Sequence, residues 1–327
     1  MTRGWQLARH DDDVDAQLLD DVGELGDGDV TVDVTWSGLN YKDALAFDGN
    51  KGVMRITPLV PGIDVVGRVS ASDDARWSVG DRVVLTGDGA GETHHGGLAH
   101  RARVRADALV AVPDEFTDRQ AAAIGTAGFT AMLAVLALEN HGAEMDAVLV
   151  TGASGGVGSF SVALLAAAGA TVIASTGRPE HTEHLRDLGA ASIVERSELD
   201  RESRPLESQN FSAAIDSVGG RTLASVLSQL RHGGTVAACG LAGGTELSTT
   251  VMPFILRGVS LAGINSVHCP RAMREHVWSR LARDLDPALV DLIVTDIALE
   301  DAREAAHDLL AGRVRGRLAV NVGGASR

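Results

Sequence analysis

The chain reads as an α/β protein of two parts, a β-rich first part and a doubly wound parallel sheet, on three observations. A glycine-rich turn joins a buried strand to an apolar helix within residues 148–168. From residue 146 onward, strand-like runs alternate with helix-like ones, the order that builds a parallel sheet. Before residue 120, short strand-like runs follow one another closely, which suggests a folded-over barrel.

In chain order, Val30-Thr31-Val32-Asp33-Val34-Thr35-Trp36 alternates as a half-buried strand does. Further strand runs are expected at 64–69, 81–86, 98–104 and 108–112, separated by glycine or aspartate turns. Between the first two, Ser37-Gly38-Leu39-Asn40-Tyr41-Lys42-Asp43-Ala44-Leu45 reads as a turn entering a short helix. Its gathered polar side chains suit an active-site wall. Pro113 closes the region, and residues 117–137 begin a helical stretch interrupted at Gly125-Thr126-Ala127-Gly128.

The glycine turn carries the most specific local chemistry. Val148-Leu149-Val150 is apolar throughout, as a strand buried on both faces would be, and Ser159 opens a helix that Gly169 stops. Ala153, Gly155 and Gly158 stand in the places of a G-x-G-x-x-G fingerprint, with alanine for the first glycine. Gly155 would let the backbone approach a pyrophosphate, and Gly158 would let helix and strand pack closely. The free N–H groups around Ser154, Gly156 and Val157 would face that anion. An ordinary tight turn is the alternative.

A second strand at 170–175 completes a βαβ unit and ends in Ser175-Thr176-Gly177-Arg178. No carboxylate stands there to hold a ribose 2′-hydroxyl, whereas a guanidinium and hydroxyls suit a 2′-phosphate, so NADPH is expected over NADH. A solvated loop charge is the alternative for Arg178. Strands at 192–195, 213–218, 234–239 and 259–264 bring the sheet to six, with Ser217, Cys239-Gly240-Leu241 and Ile264 at ligand-facing ends. A helix at 299–311 and a strand at 317–322 are expected to return to the first domain. The division expected is 1–120 with 297–327, and 121–296.

The 327 residues suit two domains, and the net charge of −15 argues against nucleic acid or an anionic membrane as partner. With no 18-residue apolar run and no leader in sight, a soluble cytoplasmic protein is expected. Cys239 and Cys269 are the only cysteines, too few for a disulfide framework and natural in a reducing compartment. His94, His95 and His100 invite a metal reading, but adjacent side chains rarely converge on one ion, so a solvated or substrate-lining loop is expected.

Leu39-Asn40-Tyr41-Lys42-Asp43-Ala44, Pro61-Gly62-Ile63-Asp64 and Ile124-Gly125-Thr126-Ala127-Gly128-Phe129-Thr130-Ala131-Met132 belong to a larger set of motifs. With Cys239-Gly240-Leu241-Ala242-Gly243-Gly244 and Pro253-Phe254-Ile255-Leu256-Arg257-Gly258-Val259, they resemble the acrylyl-CoA reductase family. That family is a zinc-independent branch of the medium-chain dehydrogenase/reductase superfamily, often labelled quinone oxidoreductase. The resemblance covers essentially the whole chain. It implies a β-rich GroES-like catalytic domain plus a doubly wound Rossmann nucleotide-binding domain. It also implies NADPH-dependent reduction of the 2,3 double bond of acrylyl-CoA to propionyl-CoA.

Zinc-dependent relatives place metal ligands where Asn40, Ile63 and Thr126 stand here, and that set suits no zinc ion. His100 and Asp88 depart from the acidic residue and the tryptophan expected at their positions. The resemblance makes Tyr41, Asn40 and Asp64 the catalytic candidates. Tyr41 would orient nicotinamide or substrate and donate the α-proton, its alternative being a core tyrosine. Asn40 would donate its amide to the substrate carbonyl, its alternative being a turn-forming side chain. Asp64 and Asp43 would line the site or cap turns, and Thr126 would touch the nicotinamide ribose or carboxamide. Cys239 is expected as a small residue near the cofactor, with no activating neighbour in sequence. Arg257, Arg271 and Arg274 are available for CoA phosphates without an assigned role. A quinone or enone reductase, or a non-catalytic NADPH-binding protein, are the alternative functions. The apolar last strand of the sheet suggests a homodimer.

Overall fold

The structure, a computed structural model, describes residues 1–10 and 13–323. It divides into two compact units, Met1–Phe129 with Ser266–Ala282 and Val290–Arg327, and Thr130–Asn265 with Arg283–Leu289. The first unit thus takes in more chain than the expected 1–120 and 297–327. Part of the reason is Arg274, buried with its Nη1 donating to the Thr86 carbonyl at 2.6 Å and its Nη2 to that of Val267 at 2.9 Å.

The first unit begins with an antiparallel hairpin, β1 (Gly4–His10) and β2 (Asp13–Leu19). β3 (Val30–Leu39) buries Val30, Val32 and Val34 and exposes Asp33, the alternation read from sequence, and leads into α1 (Tyr41–Phe47). β4 (Asp64–Ser72), β5 (Arg82–Thr86), β6 (Arg101–Val104) and β7 (Val110–Ala111) follow. β6 is shorter than the expected 98–104 because Leu98 and Ala99 pair with the hairpin instead, the Trp5 N–H donating to the Leu98 carbonyl at 2.9 Å.

α2 (Asp118–Asn140) is broken at Gly125, whose φ of 40° and ψ of −148° no helix accommodates. Its length and apolar composition are enough to cross a membrane, which corrects the expectation that no such run exists; 83% of the apolar window is buried. Ala121, Ala122, Ala123, Ile124 and Phe129 are apolar because they pack inside.

In the second unit, β8 (Val148–Val150), α3 (Gly156–Ala167) and β9 (Val172–Thr176) form the βαβ unit. β10 (Ser192–Glu195), β11 (Phe211–Asp216), β12 (Leu230–Ala238) and β13 (Ser260–Gly263) complete a six-stranded parallel sheet of order β10-β9-β8-β11-β12-β13. Val148, Leu149, Val150, Ala213, Ala214 and Ile215 are wholly buried, as strands covered on both faces are. The strand order reverses between β8 and β11, the point where such sheets hold a ligand at their carboxyl ends.

The chain then returns to the first unit as β14 (Val294–Ala298) and β15 (Arg317–Asn321). β15 runs antiparallel to β3 with Leu318 opposite Leu39, giving the sheet order β14-β15-β3-β4-β5-β7. This register sets Arg317 beside Asn40.

Candidate active site

Three chain segments of the first unit converge on Asp64, the opening residue of β4, which is wholly buried. Its Oδ1 accepts from the Thr126 N–H at 2.9 Å and the Thr126 hydroxyl at 2.6 Å. Its Oδ2 accepts from Asn40 Nδ2 at 2.8 Å and Arg317 Nη2 at 3.2 Å. Arg317, equally enclosed, also donates from Nη1 to Asn40 Oδ1 at 2.9 Å and to the Leu39 carbonyl at 3.1 Å, and from Nε to the Ala123 carbonyl at 2.9 Å. Glycine is required on both sides of the cluster: a Cβ on Gly38 would lie 2.4 Å from Asp64 Oδ2, and one on Gly125 would lie 2.3 Å from it. Burial pushes Asp64 above the usual carboxylate range and Arg317 below the usual guanidinium range, while the charge of each opposes the shift of the other.

Asn40 is the N-cap of α1, and both of its amide hydrogens are engaged, one with Asp64 and one with the Gly38 carbonyl at 3.2 Å. The donation to a substrate carbonyl expected of it is therefore not available in this arrangement. Asp43 reaches back to accept from the Asn40 N–H at 2.8 Å, the N3-to-N-cap half of a capping box, and also accepts from the Gly62 and Ile63 N–H groups at 3.1 and 2.9 Å. Its burial and the neighbouring Asp64 charge push it up to about 7. Asp43 and Asp64 thus brace turns from inside rather than offering a solvent-facing carboxylate.

Tyr41, the first residue of α1, is the member of this loop that faces outward, with 43% of its surface exposed. Its hydroxyl bonds to no described residue, so it is not the satisfied core tyrosine that was the alternative. Lys42 beside it pairs with Glu92 at 2.9 Å. His95 accepts the Val60 N–H on Nδ1 at 3.0 Å, His94 meets the Thr93 hydroxyl at 2.9 Å, and His100 is half-buried. Among the described residues no group of three or more His, Cys, Asp or Glu could hold a metal ion. Asp88 adopts a left-handed φ of 54°, a conformation aspartate tolerates better than most residues, with Arg105 at 3.6 Å.

In the second unit the glycine turn leaves β8 through Gly152, at φ 59°, and enters α3 with Gly155 as N-cap. A Cβ on Gly158 would sit 2.2 Å from the Gly152 carbonyl oxygen and 2.6 Å from Ala153 Cα, so the helix approaches the strand only because glycine is there. Gly155 differs: its Cβ would meet nothing closer than 3.4 Å, and the protein itself makes no demand for glycine. That open position, beside half-exposed Ser154, Gly156 and Val157 and the unbonded N–H groups of a helix start, fits a pyrophosphate.

The other expected cofactor residues of the second unit gather at the same carboxyl ends. Thr151 donates its hydroxyl to buried Asp216 at 2.6 Å, and Ser217 donates to the Thr151 carbonyl at 2.9 Å, which ties β8 to β11 at the strand-order reversal. Ser154 and Thr176 share a hydroxyl hydrogen bond of 3.2 Å, and the Arg178 N–H donates to Thr176 Oγ1 at 3.1 Å. The Ser175 carbonyl accepts the Ala153 N–H at 3.1 Å. Half-exposed Gly240 follows β12, exposed Leu241 is next, and half-exposed Ile264 follows β13. Cys239 donates its thiol to the Asp216 carbonyl at 3.4 Å, and burial together with the Asp216 charge pushes it up to about 12, far from a nucleophile's range.

Arg257 and Arg274 are occupied. Arg257 donates to the carbonyls of Ser228, Leu230 and Glu207, and Arg274 to those of Thr86, Val267 and Cys269. Arg271 pairs with Glu275 at 2.7 Å and lies over the Trp77 ring. Sequence reasoning passed over Arg317; its signal was an arginine opening the otherwise apolar run Leu318-Ala319-Val320.

A barrel-like β unit and a six-stranded dinucleotide-type unit in one chain define a medium-chain dehydrogenase/reductase. Residues 26–114 match the alcohol dehydrogenase GroES-like domain, and residues 156–283 match the zinc-binding dehydrogenase family. Acrylyl-CoA reductase AcuI of Ruegeria pomeroyi is 50% identical over 91% of this chain and 92% of its own. The yhdH oxidoreductase of Salmonella enterica, crystallised in complex with NADP, is 50% identical with a TM-score of 0.94, over 99% of this chain and 100% of that one. Putative quinone oxidoreductase YhfP of Bacillus subtilis is 42% identical over 97% of this chain and 98% of its own. Its crystal structure with NAD bound superposes with a TM-score of 0.93, over 98% of this chain and 99% of that one. The chain belongs to the acrylyl-CoA reductase family. The zinc implied by the name of one matched family does not fit here, since Ile63 has no donor atom and the Asn40 amide and Thr126 hydroxyl give their protons to Asp64.

Proposed function

We propose that the chain reduces the 2,3 double bond of acrylyl-CoA to give propionyl-CoA, with NADPH as reductant. The observation that carries this reading is the 50% identity to an acrylyl-CoA reductase over 91% of the chain. NADPH supplies a hydride for the β-carbon when bound, and the thioester carbonyl takes up the electron pair as an enolate. The chain's own residues must then orient the acyl group and deliver a proton to the α-carbon.

Tyr41 is the candidate for that delivery, because its hydroxyl is exposed and unbonded while Asn40, Asp43 and Asp64 hold the start of α1 in place. Asn40 and Asp64 act as positioning residues in this account. The glycine turn cradles the pyrophosphate, Ser175, Thr176 and Arg178 take the 2′-phosphate, and Ser217, Cys239, Gly240, Leu241 and Ile264 lie toward the nicotinamide half. Quinone or enone reduction is the second reading, favoured by the 42% identity to YhfP.

The test follows NADPH oxidation by absorbance with acrylyl-CoA, a longer 2-enoyl-CoA and a small quinone in parallel, and with NADH as control. Fast turnover of acrylyl-CoA with NADPH alone is the expected result. Turnover of only the quinone would transfer the assignment to the second reading, and cofactor binding without any turnover would leave a non-catalytic binding protein. Tyr41→Phe is expected to lower kcat about 10²-fold with NADPH affinity unchanged.

The same reading makes the protein a cytoplasmic homodimer. Its two cysteines are free thiols, suited to a reducing compartment that cell fractionation would check. β13 ends the sheet order, and Leu261 on it is exposed together with nearby Val251, Ile255 and Leu256. An apolar strand edge of this kind invites a second copy. Sedimentation is expected to give twice the chain mass, falling to one chain in Ile255→Asp/Leu261→Asp; a single-chain mass for the unaltered protein would overturn the dimer.

A further inference from the structure

The sheet of the second unit is covered on both faces along β8 and β11, but not on its β9–β10 side. Ile173 of β9 and Val194 of β10 are only half-buried, while Val172 and Ala174, on the opposite face of β9, are wholly enclosed. Ile173 is opposite Ser192, two residues before Val194, so the two apolar side chains share one face. The cover over that face is the helix Arg196–Leu199, a single turn, and the chain from 200 to 210, which forms neither helix nor strand. This thin cover leaves a cavity of about 550 Å³ with Ile173, Val194, Leu199 and Phe211 in its walls. Small-molecule sites span roughly 300–1,000 Å³, so a ligand fits. Ser192 and Phe211 open their strands, which sets the cavity at the amino ends of the sheet, away from the carboxyl ends that carry the glycine turn.

The same cavity is lined by two arginines and two glutamates, of which one pair is spent on the fold. Arg201 donates to both carboxylate oxygens of Glu207, at 2.9 and 2.5 Å. That pair acts as a brace: Arg201 Nε also donates to the Glu198 carbonyl at 2.9 Å, and Glu207 Oε1 accepts the Arg204 N–H at 3.0 Å. It thereby fixes the backbone of the other two. The Glu198 carboxylate and the Arg204 guanidinium are themselves exposed and bond to no described residue. An apolar wall with one unanswered negative and one unanswered positive charge calls for a ligand with the complementary three parts. A simple carboxylate would satisfy Arg204 but bring its charge toward Glu198, and a simple amine would do the reverse.

We infer that this cavity is a binding site for an α-amino acid with an apolar side chain, separate from the cofactor site. The ligand carboxylate pairs with Arg204, its ammonium with Glu198, and its side chain covers the exposed faces of Ile173 and Val194. Both charge pairs lie at the edge of an apolar wall, where charge-assisted hydrogen bonds gain strength over their value in open water.

Calorimetry on the whole chain tests this with L-leucine as the probe. The comparison ligands are isocaproate, which lacks the ammonium, isoamylamine, which lacks the carboxylate, and L-serine, which lacks the apolar body. L-Leucine is expected to bind with a Kd below ~1 mM, and each of the other three at least about tenfold more weakly. Arg204→Ala and Glu198→Gln alter exposed side chains that hold nothing else, so folding and NADPH affinity are expected to stay as they are. Each is expected to raise the Kd for L-leucine about tenfold. Absence of L-leucine binding would overturn the inference, as would equal binding of any of the three comparison ligands. An L-leucine affinity that both variants leave untouched would place the amino acid elsewhere and overturn it too.

Discussion

Arg317→Ala is expected to destabilise the first unit by about 3–5 kcal/mol, the cost of leaving a buried charge without its partner. Arg317 makes four hydrogen bonds, to Ala123, Leu39, Asn40 and Asp64, from a side chain that is 4% exposed. Without it Asp64 keeps its donors Thr126 and Asn40 but loses the only positive charge that bonds to it among the described residues. The carbonyls of Leu39 and Ala123 lose a buried donor at the same time. Arg317→Lys should recover only part of the loss, since one ammonium cannot reach four acceptors that a planar guanidinium bridges. All four tryptophans, Trp5, Trp36, Trp77 and Trp278, belong to the first unit, so urea unfolding followed by tryptophan fluorescence reads it selectively. A loss of less than about 1 kcal/mol would show that the cluster relaxes around the missing side chain. The activity of folded Arg317→Ala should fall through kcat, because the N-cap that holds Tyr41 is loosened while the glycine turn is untouched.

What the sequence disclosed and what it withheld follow from the range of the interactions. The βαβ unit was legible because Val148, Leu149 and Val150 form a continuous apolar run and because Gly158 answers to a clash within its own turn. The six-stranded parallel sheet of the second unit followed from simple alternation of strand and helix, whereas its strand order came only with the structure. β14 went unread because Thr295 and Asp296 are exposed and break any apolar pattern. β12 begins at Leu230, four residues before the expected start at 234. The burial of Asp64 was hidden because its countercharge arrives 253 residues later. The same long-range contact changed the reading of Asn40, whose amide looks available in sequence and is engaged on every side in the fold.

The stability of the first unit is expected to fall as pH rises from about 4 to about 7, the reverse of the usual trend for surface carboxylates. Asp43 is pushed up to about 7 by burial and by the charge of Asp64, against the N–H donors of Asn40 and Ile63. In the unfolded chain an aspartate releases its proton near about 3.9. Between these values the folded state holds more protons than the unfolded one, so stability is fully present below about 4 and is lost as pH rises through about 7. A shift of about three units corresponds to on the order of 4 kcal/mol. Asp64, also raised by burial, acts in the same direction, and Arg317 is the cation that limits the shifts of both. His95, whose pKa burial lowers, works the other way, since it must remain neutral when folded. Asp43→Asn separates these contributions, because it removes the titrating group and leaves His95 in place. The variant should start less stable at pH 4 by about 1 kcal/mol, having lost one acceptor for the Asn40 N–H, and then fall less steeply to pH 7, with only Asp64 and His95 left to titrate. Tryptophan-detected urea unfolding across that range decides the matter: parallel pH profiles for the two proteins would mean that Asp43 is ionised throughout and that its three N–H donors outweigh its burial.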